Sequence, residues 1–187
     1  GNIAKGHEIR TIGIGPKKNK KFKVECPTSY LSTITFHNGS VINLSLSFDV
    51  IAHQNNHIEL YGEAGSMIVP DPNMFGGSVF VCKNFGKPWK EYKTNKLPLG
   101  KINIKSQSSR ANESPTNANY RGAGLSEMGY CIENKKDHKC NGELSLHVLD
   151  IIQSIMQACK FGKTKFIKTK CKKPKIFKIS DINKILI

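Results

Sequence analysis

The segment 57–77 constrains the fold more than any other part of this chain. Its first five residues alternate apolar and polar side chains, Gly62 and Gly65 bracket a tight turn, and the residues after the turn extend again. Two prolines then fix the backbone on either side of Asp71. The pattern predicts a β-hairpin followed by a loop that is held in one shape. Loops of this kind are where binding surfaces usually form.

A second hairpin is predicted upstream, from residues 30–36 and 41–48. Apolar and small polar side chains alternate in both segments, and Asn38-Gly39 between them is a strong turn signal. One face of this pair is apolar, and the other face is small and polar. The polar face is therefore predicted to meet either solvent or a second subunit.

The remaining periodicities predict more strands and two late helices. Helical spacing predicts helices over residues 121–133 and 143–161, and a polar stretch without period predicts a long loop over residues 97–119. Adjacent strands followed by late helices favour an α+β fold, with a large mostly antiparallel (mixed) β-sheet and helices packed on one face. Further short strands are predicted near residues 8–15, 23–25, 78–83, 88–92 and 165–169.

The composition suits one cytoplasmic domain. The 187 residues are enough for a single sizeable core. No run approaches about 18 apolar residues, so no membrane span is expected. No apolar stretch follows a basic start, so secretion is not expected either. The six cysteines lack Cys-x-x-Cys and zinc spacing, which favours free thiols in a reducing compartment and no metal site.

The net charge of +15 raises the question of a nucleic-acid partner. Only three of the 29 basic residues are arginine, the side chain whose planar fork best matches phosphates and base edges. The lysines of residues 17–23 and 160–178 fall mostly on predicted strand edges and in the tail, where lysine discourages edge-to-edge pairing. A solvated lysine-rich surface is therefore favoured, and electrostatic binding of nucleic acid is the alternative.

The sequence contains no dinucleotide-binding signature. Gly13-Ile14-Gly15 is followed by Pro16 and lysines, and no amphipathic helix succeeds it. A dinucleotide site needs a strand, a Gly-x-Gly-x-x-Gly turn and a helix, so that backbone amides can approach the pyrophosphate. No Walker-type loop is present in the sequence either. The chain alone is therefore expected to bind no nucleotide cofactor.

A set of short motifs runs in order along the chain from about Val24 to Cys171. The motifs are Pro27-Thr28, Phe36 with Asn38-Gly39, Ser47-Phe48-Asp49 with His53, Ile58-Glu59-Leu60-Tyr61-Gly62-Glu63-Ala64-Gly65-Ser66, Pro70-Asp71-Pro72-Asn73, Phe75-Gly76-Gly77, Arg121-Gly122 with Gly124, and Gly142-Glu143 leading to His147-Val148-Leu149-Asp150. By the order and spacing of these motifs, the chain resembles the C-terminal domain of the Gfo/Idh/MocA oxidoreductases, the glucose-fructose oxidoreductase and inositol dehydrogenase group.

The resemblance implies a dihydrodipicolinate-reductase-like C-terminal domain over residues 1–187, which serves substrate binding and oligomerisation. It also implies that the family's N-terminal Rossmann domain, which binds NAD or NADP, is absent from this chain. The family's Glu-Lys-Pro and Asp-x-x-x-His motifs have no match here. Because those residues perform proton transfer in the family, the chain is expected to be non-catalytic by itself.

The expected function is therefore a contribution to the substrate pocket and subunit interface of an NAD(P)-dependent sugar or polyol dehydrogenase. The expected partners are the missing Rossmann domain, a sugar or polyol, and a second copy that associates through the open sheet face. One alternative is a stand-alone, non-catalytic binding or scaffold module. A basic nucleic-acid-binding domain is a further alternative and ranks lower.

Two residues that follow the strand 41–48 are candidate substrate contacts. In the family that the chain resembles, this connecting loop can border the substrate, which implies polyol contacts from His53 and then from Gln54. Imidazole and carboxamide groups offer both hydrogen-bond donors and acceptors to hydroxyls. A surface or turn-capping role is the alternative for each residue.

Three more polar residues are candidates for the same site. Asp71 and Asn73 flank Pro72 and are expected either to form turns or to contact a ligand or an interface. Arg121 begins a predicted helix and is expected either to bind a carboxylate or hydroxyl cluster, or to pair with an internal acid such as Glu127. No catalytic, cofactor-binding or metal-binding residue is assigned to the chain.

Overall fold

The computed structural model describes residues 1–73, 75–103 and 118–185 and has an α+β fold. Every strand pair in these residues is antiparallel, as the sequence predicts. The strands are β1 (Asn2–Ala4), β2 (Ile9–Thr11), β3 (Lys21–Lys23), β4 (Ser29–Thr35), β5 (Val41–Ser47), β6 (Ile58–Gly62), β7 (Gly65–Val69), β8 (Ser78–Cys82) and β9 (Lys90–Lys93). The helices are α1 (Ala123–Glu133), α2 (Gly142–Phe161) and α3 (Ile179–Ile185).

The described strands form three sheets, where the sequence predicts one large sheet. The sheets have the orders β1-β4-β5, β2-β3 and β6-β7-β8-β9. Nearly every strand pairs with its neighbour in sequence, so the pairing stays local and yields small sheets. The coarse prediction of an α+β fold with antiparallel strands is confirmed. The long loop predicted for residues 97–119 lies mostly in 104–117, outside the described residues.

Contacts within the chain divide it into two compact units. Unit 1 comprises Gly1–His53 and Gly142–Lys172, and unit 2 comprises Gln54–Asn141 and Lys173–Ile187. Unit 1 therefore holds β1 to β5 and α2, and unit 2 holds β6 to β9, α1 and α3. The prediction that residues 1–187 act as one substrate and oligomerisation domain concerns function and stays a prediction.

In unit 1 the predicted hairpin pairs β4 with β5 in the expected register. Ser29 lies opposite Ser47, and Thr35 lies opposite Val41. Gly39 closes the turn at φ 86°, a left-handed conformation that glycine adopts without strain. Helix α2 packs against β4 and β1. This places the core of unit 1 between the helix and the three-stranded sheet.

In unit 2 the strands β6 to β9 form an antiparallel meander. The turn between β6 and β7 requires Gly65, whose φ is +132°. A Cβ atom there would clash with the carbonyl oxygen of Cys82 and lie 3.0 Å from the Cα of Lys83. The glycine pair read from the sequence is therefore a steric requirement at Gly65. Helices α1 and α3 contact each other within the same unit.

The strand predicted for residues 165–169 is absent from the described structure. The carboxylate of Asp150, on α2, accepts hydrogen bonds from the backbone N–H of Lys168 at 3.0 Å and of Thr169 at 3.0 Å. Glu143 accepts the N–H of Lys172 at 3.0 Å. These backbone donors, which a strand would give to a neighbouring strand, are thus bound to the side chains of α2.

Helix α3 was not expected from the sequence. Its first turn is closed by Asp181, which accepts the backbone N–H of Lys178 at 2.9 Å while its own N–H bonds back to the carbonyl of Lys178. This reciprocal pair is half of a capping box. Helix α2 ends as predicted, with Gly162 at φ 63°. Within the described ranges, the helices are too short or too polar to cross a membrane.

Candidate functional site

Two glycines just before β8 adopt backbone conformations that constrain their surroundings. Gly76 and Gly77 have φ values of 78° and 93°, which other residues rarely adopt. A Cβ at Gly76 would lie 3.0 Å from the carbonyl oxygen of Gly100, and a Cβ at Gly77 would lie 3.0 Å from the Cβ of Pro70. A side chain at either position would therefore be strained by the positive φ and would force its neighbours in unit 2 to shift by a few tenths of an ångström.

Residues 118–120, just before α1, contact the loop between β7 and β8 at Phe75. Phe75 forms an isolated antiparallel bridge with Ala118, which is only 3% exposed. The ring of Phe75 meets the ring of Tyr120 edge-on, at 5.8 Å between centroids. The hydroxyl of Tyr120 donates to the carbonyl of Lys101 at 2.9 Å. The residues just before α1 are thus fixed against the loop that contains Asp71 and Asn73.

Three of the five predicted site residues come together on this scaffold, and we call them the Arg121 cluster: Asp71, Asn73 and Arg121. One guanidinium nitrogen of Arg121, Nη2, donates to the carbonyl oxygen of Asn73 at 3.3 Å and to its side-chain Oδ1 at 3.5 Å. Asp71 Oδ1 accepts the backbone N–H of Asn73 at 2.9 Å. Asp71 thus forms the expected turn and also holds Asn73 in position beside Arg121.

His57 is a neighbour of the cluster that the sequence reading missed. Its Nε2 lies 3.8 Å from Asp71 Oδ2, a distance that forms an ion pair when the imidazole is protonated. The hairpin register could have revealed it. Gly62 pairs with Gly65 and Ile58 pairs with Val69, so counting one residue further places His57 opposite Pro70 and next to Asp71.

The expectation that Arg121 pairs with Glu127 is wrong. Glu127 is only 7% exposed, and its two carboxylate oxygens accept the backbone N–H of Lys139 at 3.1 and 3.2 Å. Cys131 Sγ approaches the same carboxylate at 3.5 Å. The carboxylate of Glu127 is therefore bonded to the backbone of the segment that follows α1, and not to Arg121. Among the described residues, no acid lies within ion-pair distance of Arg121.

The Arg121 cluster offers complementary groups to a ligand that carries several hydroxyls. A carboxylate accepts hydrogen bonds, an amide both donates and accepts, and a guanidinium donates through five N–H bonds in a fixed plane. Arg121 uses a single nitrogen toward Asn73 and is exposed. The remaining guanidinium donors and the partly exposed carboxylate of Asp71 are groups that form hydrogen bonds with hydroxyls.

A polar pair on β6 lies on the same strand face as His57. Glu59 accepts hydrogen bonds from the hydroxyl of Tyr61 and from Asn56 Nδ2, the latter at 2.5 Å. The Tyr61 hydroxyl and then the Asn56 amide lower the pKa of Glu59 from its ordinary value, and the same bond raises the pKa of Tyr61. Glu59 is therefore an ionised acceptor at neutral pH.

The other two predicted contacts are neighbours in sequence that belong to different units. His53 ends the first segment of unit 1, Gln54 begins unit 2, and both are exposed. Their assignment as polyol contacts stays a prediction.

A second polar cluster, in unit 1, was not predicted. We call it the Asp49 cluster: Arg10, Thr28, Ser29 and Asp49. Asp49 accepts hydrogen bonds from the Thr28 hydroxyl, from the Ser29 hydroxyl at 3.0 Å, from the Gly6 N–H at 3.2 Å and from Arg10 Nη2 at 3.1 Å.

The donors around Asp49 favour its ionised form. The Thr28 hydroxyl has the largest effect in lowering the pKa of Asp49 from its ordinary value of 3.8, and desolvation opposes it. The hydroxyl of Ser29, the N–H of Gly6 and the charge of Arg10 lower that pKa further. Arg10 also donates to the carbonyl of Phe48. The acid of this cluster accepts hydrogen bonds from four groups of the protein, and the base is paired with that acid.

In the part of the chain that the structure describes, no group of three or more His, Cys, Asp or Glu side chains is arranged to hold a metal ion. A scan of protein-family models, a search of curated proteins and a search of solved structures each found no match to this chain. The likeness to the Gfo/Idh/MocA oxidoreductases therefore rests on the motifs of the sequence alone.

Proposed function

We propose that this chain contributes the substrate-binding surface of a cytoplasmic, NAD(P)-dependent sugar or polyol oxidoreductase of the Gfo/Idh/MocA type. The Arg121 cluster binds the hydroxyls of the substrate, with Asp71 as acceptor and Arg121 and Asn73 as donors. NAD or NADP and the acid and base of the reaction come from a Rossmann domain outside these 187 residues. The chain itself carries no catalytic residue under this proposal.

One observation carries the proposal. Asn73 and Arg121, both predicted as substrate contacts from the sequence, are 48 residues apart in the chain. They meet at 3.3 Å on loops that glycines and an aromatic pair hold rigid. Preorganised polar groups on a rigid scaffold are the usual basis of selective small-molecule binding. The finer fold, a dihydrodipicolinate-reductase-like domain, belongs to the same proposal.

Binding of sugars to the isolated chain tests the assignment directly. Saturation-transfer NMR with D-glucose and sorbitol as probes should detect binding of these ligands to the chain. Titrations followed in this way should give an affinity about ten-fold lower when Arg121 is replaced by Gln, because a charged hydrogen bond is lost. Asn73→Ala should act in the same direction. Asn95→Ala, an exposed residue of unit 2, is the matched control and should bind like the unmodified chain. Equal binding by all three variants would remove the cluster from the proposal.

Enzyme kinetics separate binding from chemistry. In the intact protein that contains this chain and a dinucleotide-binding domain, Arg121→Gln should raise KM about ten-fold for the sugar and leave kcat within about two-fold, because the residue binds substrate in the ground state and the transition state alike. A large fall in kcat at constant KM would show that Arg121 acts in the chemical step. If the intact protein oxidised none of the sugars and polyols tested with NAD or NADP, the oxidoreductase proposal would be rejected.

The sheet of unit 1 supports the further proposal of self-association. The polar face of β4 and β5 carries side-chain bonds between Ser29 and Ser47 at 2.6 Å and between Thr33 and Asn43 at 3.2 Å. Leu31 stands among them and is 50% exposed. Val41, which lies opposite Thr35 on the same face, is 56% exposed. A mostly polar face with two exposed apolar side chains suits contact with the same face of another copy. Light scattering should show a dimer that Leu31→Asp converts to a monomer.

The scaffold alternative differs in one measurable respect. A binding or scaffold module would retain self-association through the polar face of β4 and β5. It would show no affinity of the Arg121 cluster for sugars. The scaffold would therefore be favoured over the oxidoreductase if Leu31→Asp abolished dimerisation and if neither this variant nor the unmodified chain bound sugars.

A further inference from the structure

Residues 160–172 of unit 1 form a lysine-rich segment along the end of α2 and the chain that follows it, and we call them the basic segment. They contain six lysines and no acidic residue. All six lysines are exposed. They are Lys160, Lys163, Lys165, Lys168, Lys170 and Lys172.

The nearest acids of α2 bind the backbone of the basic segment. Asp150 Oδ2 accepts the N–H groups of Lys168 and Thr169 and the Thr169 hydroxyl, and Glu143 accepts the N–H of Lys172. Among the described residues, no ion pair includes any lysine of the segment. The backbone is therefore fixed against the helix while the ammonium groups remain without a carboxylate partner there.

Two aromatic rings lie among these lysines. Phe166 is 86% exposed and Phe161 is 58% exposed. The ammonium groups of Lys160 and Lys165 lie 5.5 and 5.8 Å from the centre of the Phe161 ring. A phenylalanine so exposed on a charged surface gains nothing from burial within the described structure. Its ring face is available to a planar partner.

The explanation that the sequence suggested for these lysines does not hold. Lysine protects the edge of a sheet, but residues 163–172 form no strand and therefore present no strand edge. What the structure shows instead is a backbone that is hydrogen-bonded to side chains of α2 and that carries exposed lysines and the exposed ring of Phe166. That combination of lysines and rings is the one used to bind phosphates and stack bases.

We propose that the basic segment binds single-stranded nucleic acid. Its lysines contact phosphates, and Phe166 stacks on a base. Binding tolerates any sequence, because the segment contains no arginine to read base edges and every base presents a ring face. This site lies wholly in unit 1 and is independent of the sugar-binding proposal for the Arg121 cluster in unit 2.

Fluorescence anisotropy with labelled oligo-dT and oligo-U of about 20 nucleotides tests the proposal. Six phosphate contacts on a single strand give a salt slope of about −4, so the association constant should fall roughly 300-fold between about 50 and 200 mM salt. Replacing Lys168, Lys170 and Lys172 by Gln should reduce the slope to about −2 and the fall to roughly 20-fold.

The matched control removes the same charge elsewhere. Lys87, Lys93 and Lys96 of unit 2 are exposed, and their replacement by Gln should leave the slope within about one unit of the unmodified chain.

Phe166→Ala should weaken binding about five-fold or more through lost stacking. Phe85→Ala, at a ring that is 105% exposed in unit 2, should have no effect. Unchanged melting temperatures establish that all the variants fold.

Several results would overturn the proposal. The proposal would be rejected if neither oligonucleotide bound at low salt. It would also be rejected if the control lysine variant reduced the salt slope as much as the variant of the basic segment does, because the attraction would then be spread over the whole protein. Equal or tighter binding of a duplex of the same length would reject single strands. Binding of the basic segment to phosphatidylserine vesicles without binding to oligonucleotides would assign the segment to a membrane surface.

Discussion

The Asp49 cluster and the Arg121 cluster each contain one of the chain's three arginines, and they differ in whether that arginine is paired with an acid. Arg10 contacts a carboxylate at 3.1 Å and a carbonyl, and the carboxylate holds three further donors. Arg121 contacts only the oxygens of Asn73, at 3.3 and 3.5 Å, among the described residues. The charge of Arg10 is paired with a carboxylate of the protein, whereas the charge of Arg121 has no carboxylate partner among the described residues.

This difference separates a structural role from a binding role. A carboxylate whose partners are all intramolecular stabilises the fold, and its removal leaves donors unpaired. A guanidinium without an acid partner adds little to the fold but can bind a ligand strongly. The Arg121 cluster is held by the backbone conformation at Gly76 and Gly77, by the Phe75–Tyr120 contact and by the hydrogen bond from the Asn73 N–H to Asp71.

The largest effect on stability is expected from Asp49→Ala. The variant leaves the hydroxyl of Thr28, in a residue only 8% exposed, and the guanidinium of Arg10 without their acceptor. The melting temperature should fall by roughly 8 °C. Differential scanning calorimetry measures it. An unchanged melting temperature would mean that the Asp49 cluster is not what holds this part of unit 1 together.

A smaller effect is expected from Gly77→Ala. The new methyl group is strained at φ 93° and meets Pro70 at 3.0 Å, which should cost about 1–2 kcal/mol and lower the melting temperature by about 4 °C. Sugar binding should weaken as well, since the loop positions Asp71 and Asn73. Gly62→Ala is the control, because the nearest atom is 4.0 Å away and its φ is not positive. Equal stability of the two variants would contradict the steric argument.

The carboxylate of Asp150 gives unit 1 a pH dependence. The N–H and then the hydroxyl of Thr169, with further bonds from Lys168 and Ser154, lower the pKa of Asp150 from its ordinary value of 3.8. A pKa lower in the folded state than in the unfolded chain stabilises the fold above pH 3.8, and this contribution is lost as the pH falls through the lower folded value.

Asp150→Asn should therefore be less stable than the unmodified chain at neutral pH, by about 3 °C in melting temperature. The gap should close as the pH falls below 3.8. Thermal unfolding followed by circular dichroism from neutral to acidic pH measures both. A gap that stays constant across this range would show that the ionised form of Asp150 does not hold residues 168 and 169.

The smallest effect on stability is expected from Arg121→Gln. The residue is exposed and makes two long hydrogen bonds, so the melting temperature should change by less than about 1 °C. Arg10→Gln should lower the melting temperature several times more, because it leaves Asp49 without its ion-pair partner. Thermal scans of the two variants side by side make the comparison. Similar shifts in both would remove the distinction between the two clusters.

Much of the fold could be predicted because its signals are local. The β4–β5 hairpin follows from alternation and Asn38-Gly39, and α2 follows from helical spacing that ends at Gly162. The strand expected at residues 165–169 was wrong because side chains of α2 bind that backbone, a contact that no local pattern contains. Helix α3 was missed although Asp181 carries a recognisable capping signal.

The site was only partly predictable for the same reason. Proline and glycine around Asp71 and Asn73 marked a rigid loop, and the scarcity of arginine marked Arg121. Nothing in the sequence placed Arg121 beside Asn73 and not beside Glu127, since this choice depends on how residues 118–121 dock on the loop. The Arg10–Asp49 contact joins residues 39 apart and was missed entirely.

The most direct test of this account is the side-chain Nε–Hε spectrum of the arginines during a titration with D-glucose and sorbitol. The chain has only Arg10, Arg110 and Arg121, so the signals can be assigned by single replacements. The account predicts that the Arg121 signal moves with saturating ligand while the Arg10 signal stays fixed. A stationary Arg121 signal, or a ligand-dependent shift of Arg10, would contradict it.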